Sequence, residues 1–358
     1  MKPDVDQTDG RWRAAPSAIS VLMACGWLRA EDTAHPGLRI DATSSSHELN
    51  RVTAPDGRCV VVKQVPQQAA TRKRSLMSEM FVYRLARWMN EIKRAVPNPV
   101  FIDEGRHLIV VESLATGIHW PVPATRATIS SPRVCHQLGV VIADVHRATA
   151  DMAMWPSPAV GILGLPMSMD EASLDRSTDT QVLMRFIAED AELSRSLNAG
   201  AAAYTARCVI HGDLRQENWL IDDREQHGLL KLFDWELSGA GDPAWDLGSL
   251  VAEAMLDNIY QRRANTLTHA LPPSIEASMR ALLTAYFKHA ALLDSASSKT
   301  WCKITLYTLA RLLHVACECT DHGVAQGEWP VTAIIDASRR IAQHTDEAAN
   351  QLRTWNSM

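Results

Sequence analysis

The sequence predicts an α+β protein of two lobes: a small antiparallel β-sheet with one main helix, then a larger, mainly helical part. Three observations carry this. Apart from one later hairpin, short β-branched segments punctuated by turn residues fall in the first third of the chain. Helical periodicity takes over after Gly117. The length, 358 residues, exceeds what one hydrophobic core usually serves.

Residues 1–34 read as an N-terminal helical extension, polar and frayed at first, then helical from Ala15 to Arg29. Its apolar run Ile19–Cys25 follows Asp4, Asp6 and Asp9 and lacks a small-residue cleavage site, so it reads as a face of a surface helix and not as a signal peptide. Residues 35–116 make the first lobe. Strands are expected at Leu38–Ala42 and Glu48–Thr53, separated by the polar turn Thr43–His47. After the turn signal Pro55-Asp56-Gly57 comes a third, β-branched strand, Cys59–Val65. A helix over Ser75–Glu91 is stopped by Pro97 and Pro99, and strands Val100–Asp103 and His107–Glu112 complete the sheet. The lobe boundary falls near Ser113–Gly117. Residues 117–358 form the second lobe, with helices expected at Val134–Thr149, Thr180–Asn198, Ala244–Tyr260, Ile275–Asp294, Lys299–Asp321 and Val331–Thr354, and one hairpin at Trp219–Asp234.

The bulk numbers exclude several classes. A net charge of −5 with no basic stripe gives no footprint for nucleic acid. No apolar stretch is long enough to span a membrane. Seven scattered cysteines, an odd number, do not form a secreted disulfide framework, and a cytoplasmic location is expected. His314, Cys317, Cys319 and His322 do not make a zinc site on a continuous helix, because Cys319 turns away from its neighbours. The eleven tryptophans are spread along the chain and read mostly as packing.

The informative segment is His211-Gly212-Asp213-Leu214-Arg215-Gln216-Glu217-Asn218, followed by Phe233-Asp234-Trp235-Glu236. Trp219–Asp222 and Leu229–Phe233 read as antiparallel strands, which places Asn218 and Asp234 at the same end of a hairpin. An amide oxygen and a carboxylate there would share one cation, and hard oxygen donors in small number suit Mg²⁺. Asp213, in the loop entering the hairpin, would face the same site without binding the metal, as a base receiving a hydroxyl proton must. Phosphoryl transfer uses this order of groups: an Asp base, then an Asn and a later Asp on the metal. Upstream, Lys63 is the only charge in the run Val60–Val65 and needs a counter-charge. Glu79 shares a helical stripe with Val82, Leu85, Ala86 and Met89, so it points into the apolar interface and supplies that charge. The turn Ser44-Ser45-Ser46 is a candidate cover for nucleotide phosphates, although it lacks the glycines of a typical phosphate loop.

These residues, with Gly241-Asp242-Pro243-Ala244-Trp245-Asp246-Leu247-Gly248, Leu138-Gly139 and Val145-His146, resemble the aminoglycoside phosphotransferase and choline kinase family, relatives of protein kinases. The resemblance spans Ile40–Leu250 and implies a bilobal protein-kinase-like fold, with residues 35–116 as the nucleotide-binding lobe, 205–250 as the catalytic loop region and 251–358 as acceptor-binding helices. It implies ATP and Mg²⁺ as cofactors, Asp213 as the base and Asn218 and Asp234 as metal ligands. Val110, Glu112 and Ser113 would lie in the hinge against adenine, with His211, Glu236 and Asp246 supporting the site. Gln216 stands where many relatives carry proline, and no activation-loop signature follows Asp234, which argues against a signalling kinase. The wording around Asp234 and Asp246 is also similar to stand-alone kinases of lanthipeptide and thioamide-peptide pathways. That resemblance implies a Ser/Thr-bearing precursor peptide as acceptor and a partner lyase or cyclase. An aminoglycoside acceptor is the alternative, disfavoured because residues beyond 250 have nearly balanced charge. The second alternative is an inactive nucleotide-binding scaffold, against which stands the retention of Lys63, Asp213, Asn218 and Asp234.

Overall fold

The computed structural model describes residues 16–42, 48–65, 70–114, 129–152, 155–166, 176–222, 228–262 and 272–356. Ser44, Ser45 and Ser46 lie outside them.

The first lobe is a five-stranded antiparallel sheet of β1 (Arg39–Ala42), β2 (Glu48–Thr53), β3 (Cys59–Gln64), β4 (Pro99–Asp103) and β5 (Leu108–Glu112), in the order β1-β2-β3-β5-β4. Strand alternation sorts its residues onto two faces. Val60, Val62, Leu108 and Val110 pack with Val21, Leu22, Trp27 and Leu28 in a separate core on the outer face. So the N-terminal segment, helices α1 (Pro16–Ala24) and α2 (Ala30–Thr33), covers the back of the sheet. The expected single helix Ala15–Arg29 is corrected: α1 ends at Ala24, and Gly26 turns the chain with φ +73°. Residues on the other face, Lys63 and Ile109 among them, look toward α3 (Ala70–Leu85) and the second lobe.

The expected helix Ser75–Glu91 starts earlier and is interrupted. After α3, residues 86–89 form a turn and α4 (Asn90–Ala95) follows. In the second lobe α5 (Pro132–Ala148) precedes α6 (Thr178–Glu189) and α7 (Ala191–Ala203). Sequence periodicity merged the last two. Asp190 separates them because its carboxylate caps α7, accepting from Glu192 N (3.1 Å) and Leu193 N (3.0 Å). Strands β6 (Cys208–Ile210) and β9 (Gly239–Gly241) pair with each other. Neither is legible in the sequence, since each has three residues and one is Gly-Ala-Gly. Between them lies the expected hairpin, β7 (Trp219–Asp222) with β8 (Leu229–Leu232).

The remaining helices are α8 (Pro243–Arg262), α9 (Pro273–His289), α10 (Ser298–Asp321), α11 (Val331–Gln343) and α12 (Thr345–Asn356). The last two were read as one, and the chain breaks at His344. A Cβ at Gly248 would sit 2.9 Å from the Thr308 amide nitrogen, so α8 can approach α10 this closely only with glycine there. Among the described residues no helix is long and apolar enough to cross a membrane.

Candidate active site

Lys63 projects from β3 into the cleft between the lobes. Its ammonium donates to Glu79 Oε2 of α3 (2.7 Å) and to Asp234 Oδ1, just beyond β8 (2.8 Å), with Glu236 Oε2 at 3.6 Å. Burial disfavours its charge, but Glu79, then Asp234 and Glu236, hold its pKa well above the usual lysine range. Burial, then repulsion by Asp234, pushes Glu236 up to about 7. Three carboxylates thus face one lysine. Asp234 adopts a left-handed conformation (φ 64°, ψ 56°), a costly backbone for a residue other than glycine. Its side chain keeps 38% of its surface exposed while Glu79 is buried.

The catalytic-loop segment is pinned from below by α8. Asp246, buried in that helix's first turn, accepts from the amides of His211 (2.8 Å) and Gly212 (3.0 Å). Trp245 Nε1 donates to Gly212 O (3.1 Å). His146 of α5 contacts Asp246 Oδ2 through Nε2 (3.1 Å) and Tyr286 through Nδ1 (3.0 Å). His211 Nε2 pairs with Phe233 O (3.0 Å) and its ring stacks at 4.5 Å on Trp235, so it packs and bonds the loop. This network fixes the entry and the exit of the hairpin together, and every member has a partner.

Asp213 and Asn218 meet directly. Asn218 Nδ2 donates to Asp213 O (2.8 Å) and Oδ2 (3.2 Å), and Asn218 O accepts from Phe233 N (3.1 Å). The amide nitrogen is thereby committed to Asp213, leaving the side-chain oxygen as the donor atom available to a cation. Arg215 Nε lies 3.0 Å from both Asp213 oxygens, and Arg311 Nη2 of α10 donates to Oδ1 at 2.7 Å. Burial alone would raise this carboxyl. Arg311 first, then Arg215, overcomes it and holds Asp213 at about 2, ionised at every physiological pH.

In the hinge segment Val110 is buried opposite Val62, Ser113 N donates to Cys59 O (3.0 Å), and Glu112 Oε1 accepts from Asn98 (3.2 Å). The structure brings together Lys63, Glu79, Asp234 and Glu236 in one cluster and Asp213 with Asn218 in the adjoining one, with Asp246 beneath. It places Val110 and Glu112 on β5, an interior strand, and Ser113 just past its end where the chain leads out of the lobe.

Sequence reasoning missed Arg311, Glu318 and Glu253. Glu318 accepts from Arg215 Nη2 (3.1 Å), and Glu253 accepts from Gln216 N (3.1 Å). The signal for Arg311 was present: like Lys63, it is the only formal charge in a long apolar stretch, from Ile304 to Cys317. Of the histidines and cysteines on α10, His314 contacts Arg311 (3.0 Å), Cys317 is buried, and Cys319 lies 3.8 Å from Tyr260. Among the described residues no cluster of three or more His, Cys, Asp or Glu forms a ready metal site.

A lysine–glutamate pair on a strand-rich lobe, set over an Asp-Asn-Asp arrangement on a helical one, defines a phosphotransferase of protein-kinase-like fold. The chain belongs to the phosphotransferase enzyme family APH, whose pattern matches residues 43–282. A search of curated protein sequences finds no match. Among solved structures the chain is similar to ethanolamine kinase from Plasmodium vivax, with 10% identity, coverage of 94% of this chain and 91% of that one, and a TM-score of 0.56. It is also similar to choline kinase from Streptococcus pneumoniae (14% identity, 95% and 100% coverage, TM-score 0.53). A third is an amicoumacin kinase in complex with AMP-PNP, Ca²⁺ and Ami (13% identity, 91% and 93% coverage, TM-score 0.55). Identities this low speak for the fold.

Proposed function

We propose that this chain transfers the γ-phosphoryl group of ATP to a hydroxyl group of a small molecule, with a divalent cation, Mg²⁺ by its donor set. The observation that carries this reading is the position of Asn218, bonded through its side chain to Asp213 and through its backbone to the residue before Asp234. One residue thus ties the proton acceptor to the metal side of the centre.

Asp213 is the base in this reading. It takes the acceptor's hydroxyl proton as the new O–P bond forms and the bond from γ-phosphorus to the ADP oxygen breaks. A carboxylate held at about 2 is a weak base, which suits a loose transition state in which catalysis is mostly positioning and charge stabilisation. Asn218 Oδ1 and Asp234 fit a hard cation, and the surplus of Glu79, Asp234 and Glu236 over Lys63 supports a site that takes up positive charge. When bound, the cation would neutralise phosphate charge. Lys63, steered by Glu79, would contact the α- and β-phosphates. Val110, Glu112 and Ser113 would border adenine, Ser44–Ser46 would cover the phosphates, and His211, Glu236 and Asp246 would hold the centre in place. Residues 35–116 then form the nucleotide lobe and 251–358 the acceptor side. The ethanolamine, choline and amicoumacin kinases of similar fold support a small-molecule acceptor over a precursor peptide with its partner lyase or cyclase.

The test is incubation with ATP and Mg²⁺ and, separately, amino alcohols, aminoglycosides, macrolides and a Ser/Thr-rich peptide, followed by product mass. One added phosphate on a small molecule, lost in Asp213→Asn, is expected. Phosphorylation of the peptide alone would move the acceptor assignment. Transfer to any acceptor at full rate by Asp213→Asn would overturn the assignment of the base.

A further inference from the structure

The helices at the C-terminal end leave a half-open cavity of about 470 Å³ between α8, α10, α11 and α12. Small-molecule sites run from about 300 to 1,000 Å³, a range that includes this volume. The space exists because small side chains, Ala337 and Ala348, stand where large ones would fill it. It is not the catalytic cleft. Glu253 of α8 faces the catalytic loop through Gln216 N. Met255 and Asn258, which line the cavity, lie about 200° and 140° round the same helix.

One charged group on its wall lacks a partner among the described residues. Arg340 of α11 is half-buried and its guanidinium makes no hydrogen bond or ion pair among the described residues. Its neighbour Arg339 shows what the chain does with an arginine it uses structurally, since Arg339 is bonded to Asp190 at 2.9 Å. Much of the remaining wall is apolar, with Val251, Ile341, Leu352 and Trp355 among its residues. Glu347 stands at the rim, its side chain 82% exposed and 3.5 Å from His344, so it does not neutralise Arg340 from within.

We infer that this cavity is a second ligand site, separate from the phosphoryl-transfer centre, for a small carboxylic acid with an apolar body. The carboxylate pairs with Arg340, and the body fills the space lined by Ile341, Leu352 and Trp355. Of the anions that pair with a lone guanidinium, a carboxylate suits a mainly apolar chamber best, because one charge is less costly to enclose than a phosphate's two.

The probe is 8-anilinonaphthalene-1-sulfonate, an apolar anion, titrated into the full chain with AMP-PNP and Mg²⁺ already saturating. One saturable site by fluorescence is expected, displaced by decanoate and far less by decanol. Arg340→Gln should weaken binding of the probe at least tenfold. Ala337→Trp, which fills the chamber, should abolish it. Both variants should bind AMP-PNP with wild-type affinity, which separates loss of the site from loss of the fold. Absence of saturable binding, equal binding by wild type and both variants, or equal displacement by decanoate and decanol would each overturn the inference. None of these readouts depends on the acceptor or on turnover.

Discussion

Two ionic clusters meet in the cleft, and they are built on opposite terms. The upper one sets a single cation, Lys63, among Glu79, Asp234 and Glu236. The lower one surrounds Asp213 with Arg215 and Arg311 and closes on Glu318, with His314 alongside. The upper cluster carries surplus negative charge and an exposed carboxylate, so it is open to a cation and phosphates. In the lower cluster every oxygen of Asp213 already has a donor, and Arg311 is buried, so it is closed and rigid. The contrast suits a division of labour in which one side receives a charged ligand and the other holds a base in one position.

The comparison can be broken from either side. Neutralising Asp213, the base of the proposed function, has the largest expected effect: Asp213→Asn should lower turnover about 10²–10⁴-fold while AMP-PNP affinity, read by titration, stays near wild type. Turnover within a few-fold of wild type would remove Asp213 from the chemistry. Next, Lys63→Met leaves the buried Glu79 without its partner and should cost about 3–5 kcal/mol in urea unfolding. The double variant Lys63→Met, Glu79→Met should recover much of that stability and none of the activity. If the single variant unfolds like wild type, the upper cluster is not held by this pair.

Arg311→Met sharpens the comparison by loosening only the closed cluster. Asp213 has a folded pKa of about 2 against an ordinary 3.8, so its contribution to stability is present above pH 3.8 and lost as the pH falls through 2. That difference is worth about 2 kcal/mol. Without Arg311 the folded value rises, and acid unfolding should begin at a higher pH, with turnover reduced at neutral pH as the base loses its anchor. An unchanged acid transition would show that Arg215 alone sets the value. The smallest effect lies outside both clusters. Asp190→Ala removes the cap of α7 and the Arg339 pair and should cost about 1 kcal/mol in thermal unfolding with no change in turnover.

The two clusters also differ in how far the sequence disclosed them. Lys63, Asp213, Asn218 and Asp234 were legible because strand alternation and hairpin geometry act over short ranges and fix which side chains face the cleft. Glu79 followed from the need to neutralise Lys63. Arg311 stands 98 residues beyond Asp213, and no local rule joins them, although its isolation in an apolar helix marked it as a buried charge awaiting a partner. Helix limits were missed where one side chain ends a periodic run, as Asp190 does between α6 and α7. The pairing of β6 with β9 was hidden because three-residue strands show no period.

The amino-acid order alone determined the two-lobed α+β plan, the hairpin that carries Asn218 and Asp234, and the chemistry those groups suit, because each rests on contacts between near neighbours in the chain. Only the tertiary structure decided that α10 would deliver Arg311 to Asp213, that Asp234 would share Lys63 with Glu79, and that four helices would leave a chamber beside Arg340. These depend on how helices pack, and packing is settled by the shapes of many side chains at once.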